Sequence, residues 1–356
     1  MIKEAIVKAA KGIDLSVSEA EGAFTEILDQ AATSAQIAAL LTALAVKGEN
    51  EDEIYAAAKV VRAHAQKIKV RNNFLGIDDP DEAVFDSCGT GGSNTQKFNV
   101  STAVAFVVAA SGVKTAKHGN RAMSSRCGSA DCFEALSIAA EVEPAVAEAA
   151  IKDIGIGFLF APLYHPALKS VAQIRREIGI RTIFNILGPL TNPAGTTAQL
   201  LGVCEERFIL PVARALKALG VKRALVFSSK DLKDEISLSS RTRGIFVNGA
   251  KLTKMNFSAS AFGLKKVLPA AIKVKSAKES AVMVRAVLSG KDIPARRIVL
   301  ANAAAAFFVL GKALDIKAGV KLAAQLIDGK KALKKLEELK DFLKSKGYAP
   351  DIVADC

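Results

Sequence analysis

Between residues 1 and 70 apolar side chains recur every three or four positions, the repeat of helices with one buried face. Ser18 with Glu21 predicts a capping box ahead of Ala23, Phe24, Ile27 and Leu28. Thr33 or Ser34 caps a second helix through Ile37, Leu40, Leu41 and Leu44 that Gly48 ends, and Asn50 with Glu53 opens a third carrying Ile54, Ala58, Val61 and Ala65. The pattern predicts a small all-helical N-terminal domain over residues 1–72. The stretch "RNNFLGIDDPDE" (71–82), rich in Asn, Gly, Asp and Pro, reads as a linker.

Beyond it the period changes. "AVFDSC" reads as a strand, "STAVAFVVAASG" as a short helix apolar on nearly every side and ended by Gly112, and "VKTAKHG" as a second strand. Strand, helix, strand in that order is a βαβ unit of a parallel sheet. "ERFILPVARALKALG" followed by "VKRALVFSS" repeats the alternation, with Pro211 expected to kink or delay the helix. "GIFVNGAKL" predicts a hairpin turning at Asn248 and Gly249, and "VLANAAAAFFVLGKA" a buried helix ended near Gly311. Near the end, Leu333, Leu336, Leu339 and Leu343 fall at helical spacing among lysines and acids, the pattern of an amphipathic helix with a wet face. The fold class expected is α/β: the helical domain plus a larger domain, 73–356, with a central mainly parallel sheet flanked by helices.

Composition narrows the function classes. Half of the 356 residues are hydrophobic, too many for a disordered chain. The longest uncharged apolar stretch, Ser101 to Val113, falls short of the roughly 18 residues a bilayer span needs. The start, "MIKEAIVKAAKGIDL", does not resemble a secretory signal, so a cytoplasmic protein with no membrane partner is expected. Cys88, Cys127, Cys132, Cys204 and Cys356 contain no C-x-x-C pair, and His64, His118 and His165 lie far apart, so neither a disulfide framework nor a zinc site follows. Cys88 reads as a small packed hydrophobe. A formal charge of +13 invites a nucleic-acid reading, but the lysines are spread out and there is no Trp for base stacking. A small, highly charged anion as substrate suits the charge as well.

Candidate chemistry gathers at strand ends. In "DSCGTGG" (86–92), Gly89, Gly91 and Gly92 lie between a strand end and a helix start, where free amide N–H groups and the positive end of the helix dipole favour an anion such as phosphate. A structural tight turn is the competing reading. The spacing matches neither the dinucleotide-binding nor the P-loop pattern. "NVST" then places Asn99, Ser101 and Thr102 at the start of an apolar helix, more polar side chains than a cap requires. At the next strand end "KHGNRAMSSRCGS" offers Lys117, Arg121 and Arg126 with Asn120, Ser124, Ser125 and Ser129, and ligands of open α/β sheets bind outside the carboxyl ends of strands. The segment 158–195 holds His165, Lys169, Arg175, Arg176 and Arg181; an arginine is the usual bidentate partner of a carboxylate, while Lys169 and Arg176 read as surface helix residues. Last, "KDLKDEISLSS" places Asp234 and Glu235 after the strand "ALVF". Adjacent carboxylates suit Mg²⁺, which prefers one or two of them plus substrate phosphates.

In one order the chain carries "CGTGG", "FNVSTA", "AKHGNR", "CGSAD", "FAPLYHPALK", "GIRTIFNILGPLTNPA" and the late "DE", and so it resembles the anthranilate phosphoribosyltransferases over nearly its whole length. "KHGNR" and "NILGPLTNPA" are the most specific blocks. The resemblance implies a nucleoside phosphorylase/phosphoribosyltransferase-like fold in which helices from residues 169–190 join the helical domain. It implies Mg²⁺-dependent transfer of the phosphoribosyl group from 5-phosphoribosyl 1-diphosphate to the amine of anthranilate, a step of tryptophan biosynthesis that releases pyrophosphate. Such enzymes are typically homodimers in contact through the helical domain. Carried onto this sequence, the phosphoribosyl diphosphate site comprises Gly89, Gly92, Ser93, Lys97, Asn99, Val100, Ser101, Thr102, Lys117, Asn120, Arg121, Ser124, Ser125 and Ser129. The implied anthranilate site comprises Gly89, His118, Asn120, His165, Arg175 and Gly188, and the implied metal site Ser101, Asp234 and Glu235.

Two departures stand out: Ser93 where the family usually has Asp after Gly-Gly, and Ser228 and Ser229 in place of a His-Gly pair. Ser93 is expected still to hydrogen-bond a phosphate oxygen. Two other readings compete. A pyrimidine nucleoside phosphorylase-like enzyme would share the architecture, but "KHGNR" and "NILGPLTNPA" argue against it. A catalytically altered homologue binding nucleic acid through its positive charge is left open by Ser93 and Ser228.

Overall fold

Runs of β-branched and aromatic residues, separated by helical segments, assemble into one large sheet in the computed structural model, which describes residues 1–71, 73–74, 77–78, 82–92, 95–122 and 127–350. Four helices come first: α1 (Ile2–Ala10), α2 (Val17–Leu28), α3 (Ser34–Lys47) and α4 (Glu51–Ala63). Capping boxes open α3 at Thr33 and α4 at Asn50. The box of α2 is built by Ser16 and Glu19, one frame earlier than Ser18 and Glu21. The segment "SVSEAE" contains both frames, and the choice is made by tertiary contact: Lys59 donates to Glu21 Oε1 at 2.6 Å and takes that carboxylate out of the cap. The predicted linker lies largely outside the described residues; within it, β1 (Asn73–Phe74) and β2 (Ile77–Asp78) form a two-residue antiparallel pair.

The large sheet contains β3 (Val84–Gly89), β4 (Lys114–Gly119), β5 (Ile156–Phe160), β6 (Ala198–Gly202), β7 (Arg223–Ser229), β8 (Thr242–Asn248) and β9 (Lys251–Phe257), in the order β5-β4-β3-β6-β7-β8-β9. The first five are parallel, and β8 and β9 complete the sheet antiparallel. The predicted βαβ unit is β3, α5 (Val100–Ala109) and β4. In the β8–β9 hairpin Asn248 pairs with Lys251, so the turn is Gly249-Ala250, one residue later than predicted; Gly249 takes the loop position with φ +55° and leaves Asn248 in the ladder. Pro211 sits in the first turn of the helix Ile209–Ala218, where its missing N–H costs nothing. A 3₁₀ turn, Glu206–Phe208, precedes that helix.

Each sheet face has its own core. On one, α5 and the helix Pro294–Val309 are buried along almost their whole length, which is why neither shows a polar stripe in the sequence. The amphipathic helix Lys331–Ser345 closes that side with Leu336, Leu339 and Leu343 buried. On the other face, apolar residues of α1–α4 share a core with Val171, Ile174, Phe184 and Leu187, with the helix Ile209–Ala218, and with Leu201, Val226 and Val247 of the sheet. Phe24 meets Phe184 edge-on, ring centroids 6.0 Å apart. Among the described residues no helix is long and apolar enough to cross a membrane.

Candidate active site

Parallel strands aim their carboxyl ends at one edge of the sheet, and at that edge neighbouring connections run in opposite directions on either side of the β3–β6 pair, the place where open α/β sheets leave a crevice. The last residues of these two strands, Gly89 and Gly202, are register partners. Both are needed by one neighbour. A β-carbon on Gly89 would stand 2.6 Å from Asp234 Oδ2, and one on Gly202 would overlap the Asp234 main chain. The glycines thus let the acidic segment after β7 fold back across the sheet edge. The next two, Gly91 and Gly92, have φ of +66° and +71°, and Arg181 Nη1 donates to both their carbonyl oxygens at 3.2 Å. The Cys204 amide adds a 3.1 Å bond to Thr90 Oγ1.

The resulting cavity, about 360 Å³, is lined by residues of the glycine loop, the start of α5, the β4 end, the segment 161–191 and the acidic pair. At its floor lies Lys117, 3% exposed, whose Nζ reaches only the His118 carbonyl at 3.5 Å and has no ion pair among the described residues. A buried ammonium so poorly matched within the chain favours an incoming anion. Asp86 lies beneath the site with no exposure; burial raises its pKa, Lys117 opposes the rise, and Asn192 Nδ2 donates to Oδ2 at 2.9 Å. Asn99 makes no cap to α5; its side chain instead joins Gly128 O at 3.1 Å to Ser280 Oγ at 2.7 Å, tying the β4 loop to the helix Ala277–Leu288.

Asp234 and Glu235 are each 8% exposed. Burial pushes the Glu235 carboxyl up to about 8, with Lys97 opposing the rise and the Asp234 charge adding to it, and the Ser101 amide at the N-terminus of α5 donates to it. Lys97 Nζ meets Asp234 Oδ1 at 2.6 Å. Burial works against the Lys97 ammonium, but Asp234 and Glu235 outweigh it and hold its pKa above the usual lysine value.

The same cavity is lined by two histidines and an arginine. His118 and His165 are buried with ring centroids 5.3 Å apart, and burial drives their pKa values down to about 3 and about 4, so both are neutral at pH 7. His118 Nδ1 lies 3.2 Å from the Gly188 carbonyl. Arg175 is half-buried over the Phe184 ring at 5.6 Å, with no ion pair among the described residues. Burial lowers its pKa below the ordinary arginine range. A carboxylate is the partner such a guanidinium lacks.

Residues 81–333 match the model of the glycosyl transferase family a/b domain, and residues 3–65 that of the same family's helical bundle domain. The anthranilate phosphoribosyltransferase of Geobacter sp. (strain M21) is 49% identical over 95% of this chain and 98% of its own, and that of Geobacter sulfurreducens 47% identical over 95% and 98%. This chain belongs to the anthranilate phosphoribosyltransferase family. Among solved structures, the crystal structure of the Thermus thermophilus anthranilate phosphoribosyltransferase superposes with a TM-score of 0.87 at 37% identity, covering 96% of this chain and 99% of that one. The Saccharomyces cerevisiae anthranilate phosphoribosyltransferase in complex with PRPP and Mg follows at 0.83 and 26% identity, covering 97% and 98%.

Around this cavity the structure gathers Gly89, Gly92, Lys97, Asn99, Ser101, Lys117, Asn120, Arg121 and Ser129 with His118, His165, Arg175, Gly188, Asp234 and Glu235. Val100 and Thr102 are fully buried behind its wall. Ser93, Ser124, Ser125 and Arg126 lie outside the described residues. Arg121 is engaged by Glu141, Nη2 to Oε1 at 2.6 Å, which leaves it partly turned to acids of its own chain. Lys169 and Arg176 are exposed, as read from the sequence. The residue types fit a hard divalent cation. Asp234 and Glu235 offer buried oxygen donors whose crowding a cation would relieve. Gly202 and Asp86 are not site candidates in the sequence, and Arg181, a candidate there, binds the carbonyls of the glycine loop. Gly202 carries the same signal as Gly89, a glycine at a strand end, but its strand "AQLLG" has no alternation to reveal it.

Proposed function

We propose that this protein transfers the phosphoribosyl group of 5-phosphoribosyl 1-diphosphate to the amine of anthranilate with Mg²⁺ as cofactor, releasing pyrophosphate. The observation that carries the reading is one cavity with two complementary sets of groups: a buried Lys117, without an ion pair among the described residues, with a glycine loop and an acidic pair, and Arg175 with two neutral histidines. The close relatives bear the name of this activity, and the yeast relative's structure holds PRPP and Mg.

The chain's residues account for the chemistry in turn. Lys117, the amides of the glycine loop and Ser129 take the phosphate oxygens, so negative charge growing on the leaving diphosphate meets donors already in place. Asp234, Glu235 and Ser101 would hold Mg²⁺, which supplies Lewis-acid neutralisation of phosphate oxygens. Arg175 orients the anthranilate carboxylate, making attack a matter of proximity. The aromatic amine is neutral at pH 7 and needs no strong base. His118 and His165, uncharged there, shape the pocket without repelling the positive charge that builds on the ribose.

The four described cysteines are free, in keeping with a reducing cytoplasm. We further propose a homodimer through the helical bundle, where Val7, Ile13 and Val46 are exposed apolar side chains for a second copy to cover. The test mixes purified protein with phosphoribosyl diphosphate, Mg²⁺ and anthranilate and follows anthranilate fluorescence. Loss that requires all components supports the reading; constant fluorescence across a wide Mg²⁺ range refutes it.

A further inference from the structure

Among the described residues, Lys97 makes an ion pair with Asp234 of the acidic pair. Lys97 Nζ donates to Asp234 Oδ1 at 2.6 Å, to Thr95 Oγ1 at 3.0 Å and to the Leu232 carbonyl at 3.4 Å. The Lys97 and Asp234 side chains are each 10% exposed. Its backbone is fixed as well: Lys97 bridges Lys273, with Val274 N to Gln96 O at 2.8 Å and Phe98 N to Ile272 O at 3.1 Å on either side. Lys97 is therefore a built feature of the site and not a surface lysine that strays into it.

The oxygen it binds is of the hard, anionic kind a divalent ion uses. An ammonium and a metal ion cannot both bind Asp234 Oδ1 in one direction, so they compete. Without either, Asp234 would be a buried carboxylate with no cation bonded to it among the described residues, which is unfavourable. Resting on the transfer reading above, we propose that Lys97 is the resident counter-ion of Asp234, filling the metal's place there in the substrate-free enzyme until a diphosphate arrives to take over the ammonium. Divalent metal then enters with the substrate and not ahead of it. The device limits futile metal binding and delivers Lys97 to the phosphates in the same step.

The test titrates Mn²⁺ alone into the substrate-free full-length protein, followed by the electron paramagnetic resonance of free Mn²⁺, in wild type, Lys97→Met and Lys97→Met/Asp234→Asn. Lys97→Met is expected to bind Mn²⁺ about tenfold or more tighter than wild type, a gain the added Asp234→Asn removes. Its metal-free Tm is expected to fall and to recover with Mn²⁺, while the wild-type Tm stays unmoved at the same concentration. Equal Mn²⁺ affinity in wild type and Lys97→Met, or a gain that survives Asp234→Asn, overturns the proposal. Should Lys97→Met fail to fold, Lys97→Gln is read by the same criteria. Repeating the wild-type titration with phosphoribosyl diphosphate separates the two claims. Substrate-dependent Mn²⁺ uptake without a Lys97→Met gain overturns the counter-ion role and keeps the transfer reading; a Lys97→Met gain without that uptake supports the counter-ion role and contradicts the transfer reading.

Discussion

Asp234 lies so close to Gly89 that a β-carbon on the glycine would stand 2.6 Å from its carboxylate Oδ2. The partner glycine, Gly202, faces the Asp234 main chain instead of its side chain. The two substitutions therefore differ in kind. Gly202→Ala has to move backbone across the sheet edge and is expected to cost about 2 kcal/mol or more in urea denaturation together with most activity. Gly89→Ala displaces only a side chain and is expected to cost about 1 kcal/mol or less, its damage showing in the Mg²⁺ concentration needed for half-maximal rate. Equal and small stability losses in both would show that the acidic segment does not rest on these glycines.

That relationship also marks where the sequence stops being readable. The glycine loop, the βαβ unit and the acidic pair were visible because each rests on local chemistry: strand ends, helix starts and adjacent carboxylates. What lies against the glycines was not, because Asp234 comes from the segment after β7, two strands along the sheet from β3, and Arg181 from the segment between β5 and β6. β5 and β6 themselves, "IGFLF" and "AQLLG", are buried throughout and show no alternation, so nothing in their pattern separates a buried strand from a buried helical turn. The cap of α2 failed for a similar reason, since the choice between two overlapping Ser-x-x-Glu frames is made by Lys59 from another helix.

Arg175 has no carboxylate partner among the described residues, and its removal leaves no buried charge behind. Arg175→Ala is expected to raise the KM for anthranilate about thirtyfold, the worth of a charged hydrogen bond near 2 kcal/mol, with the KM for phosphoribosyl diphosphate nearly unchanged. Steady-state kinetics with each substrate varied in turn checks this. Equal increases for both substrates would place Arg175 elsewhere in the mechanism.

His118 and His165 make stability depend on pH. Their pKa values fall from 6.5 to about 3 and about 4 on folding, chiefly through burial, so between those limits the unfolded chain binds more protons than the folded one. The stability gained by keeping them neutral is complete above pH 6.5 and is lost as pH drops toward 4, by about 1 kcal/mol per pH unit for each ring. Glu235, raised to about 8, acts with the opposite sign but equally in both proteins, so urea midpoints from pH 7 to 5 should fall more in wild type than in His118→Gln. Parallel slopes in the two proteins would mean that His118 titrates as an exposed histidine does.

The central claim is that Lys117 and the glycine loop, helped by a cation on the acidic pair, grip a sugar diphosphate. Isothermal titration of phosphoribosyl diphosphate in Mg²⁺ into wild type and Lys117→Met tests it most directly. The account predicts one molecule bound per chain, with affinity weakened about thirtyfold or more in the variant. No heat in wild type, or the same affinity in both proteins, would contradict it.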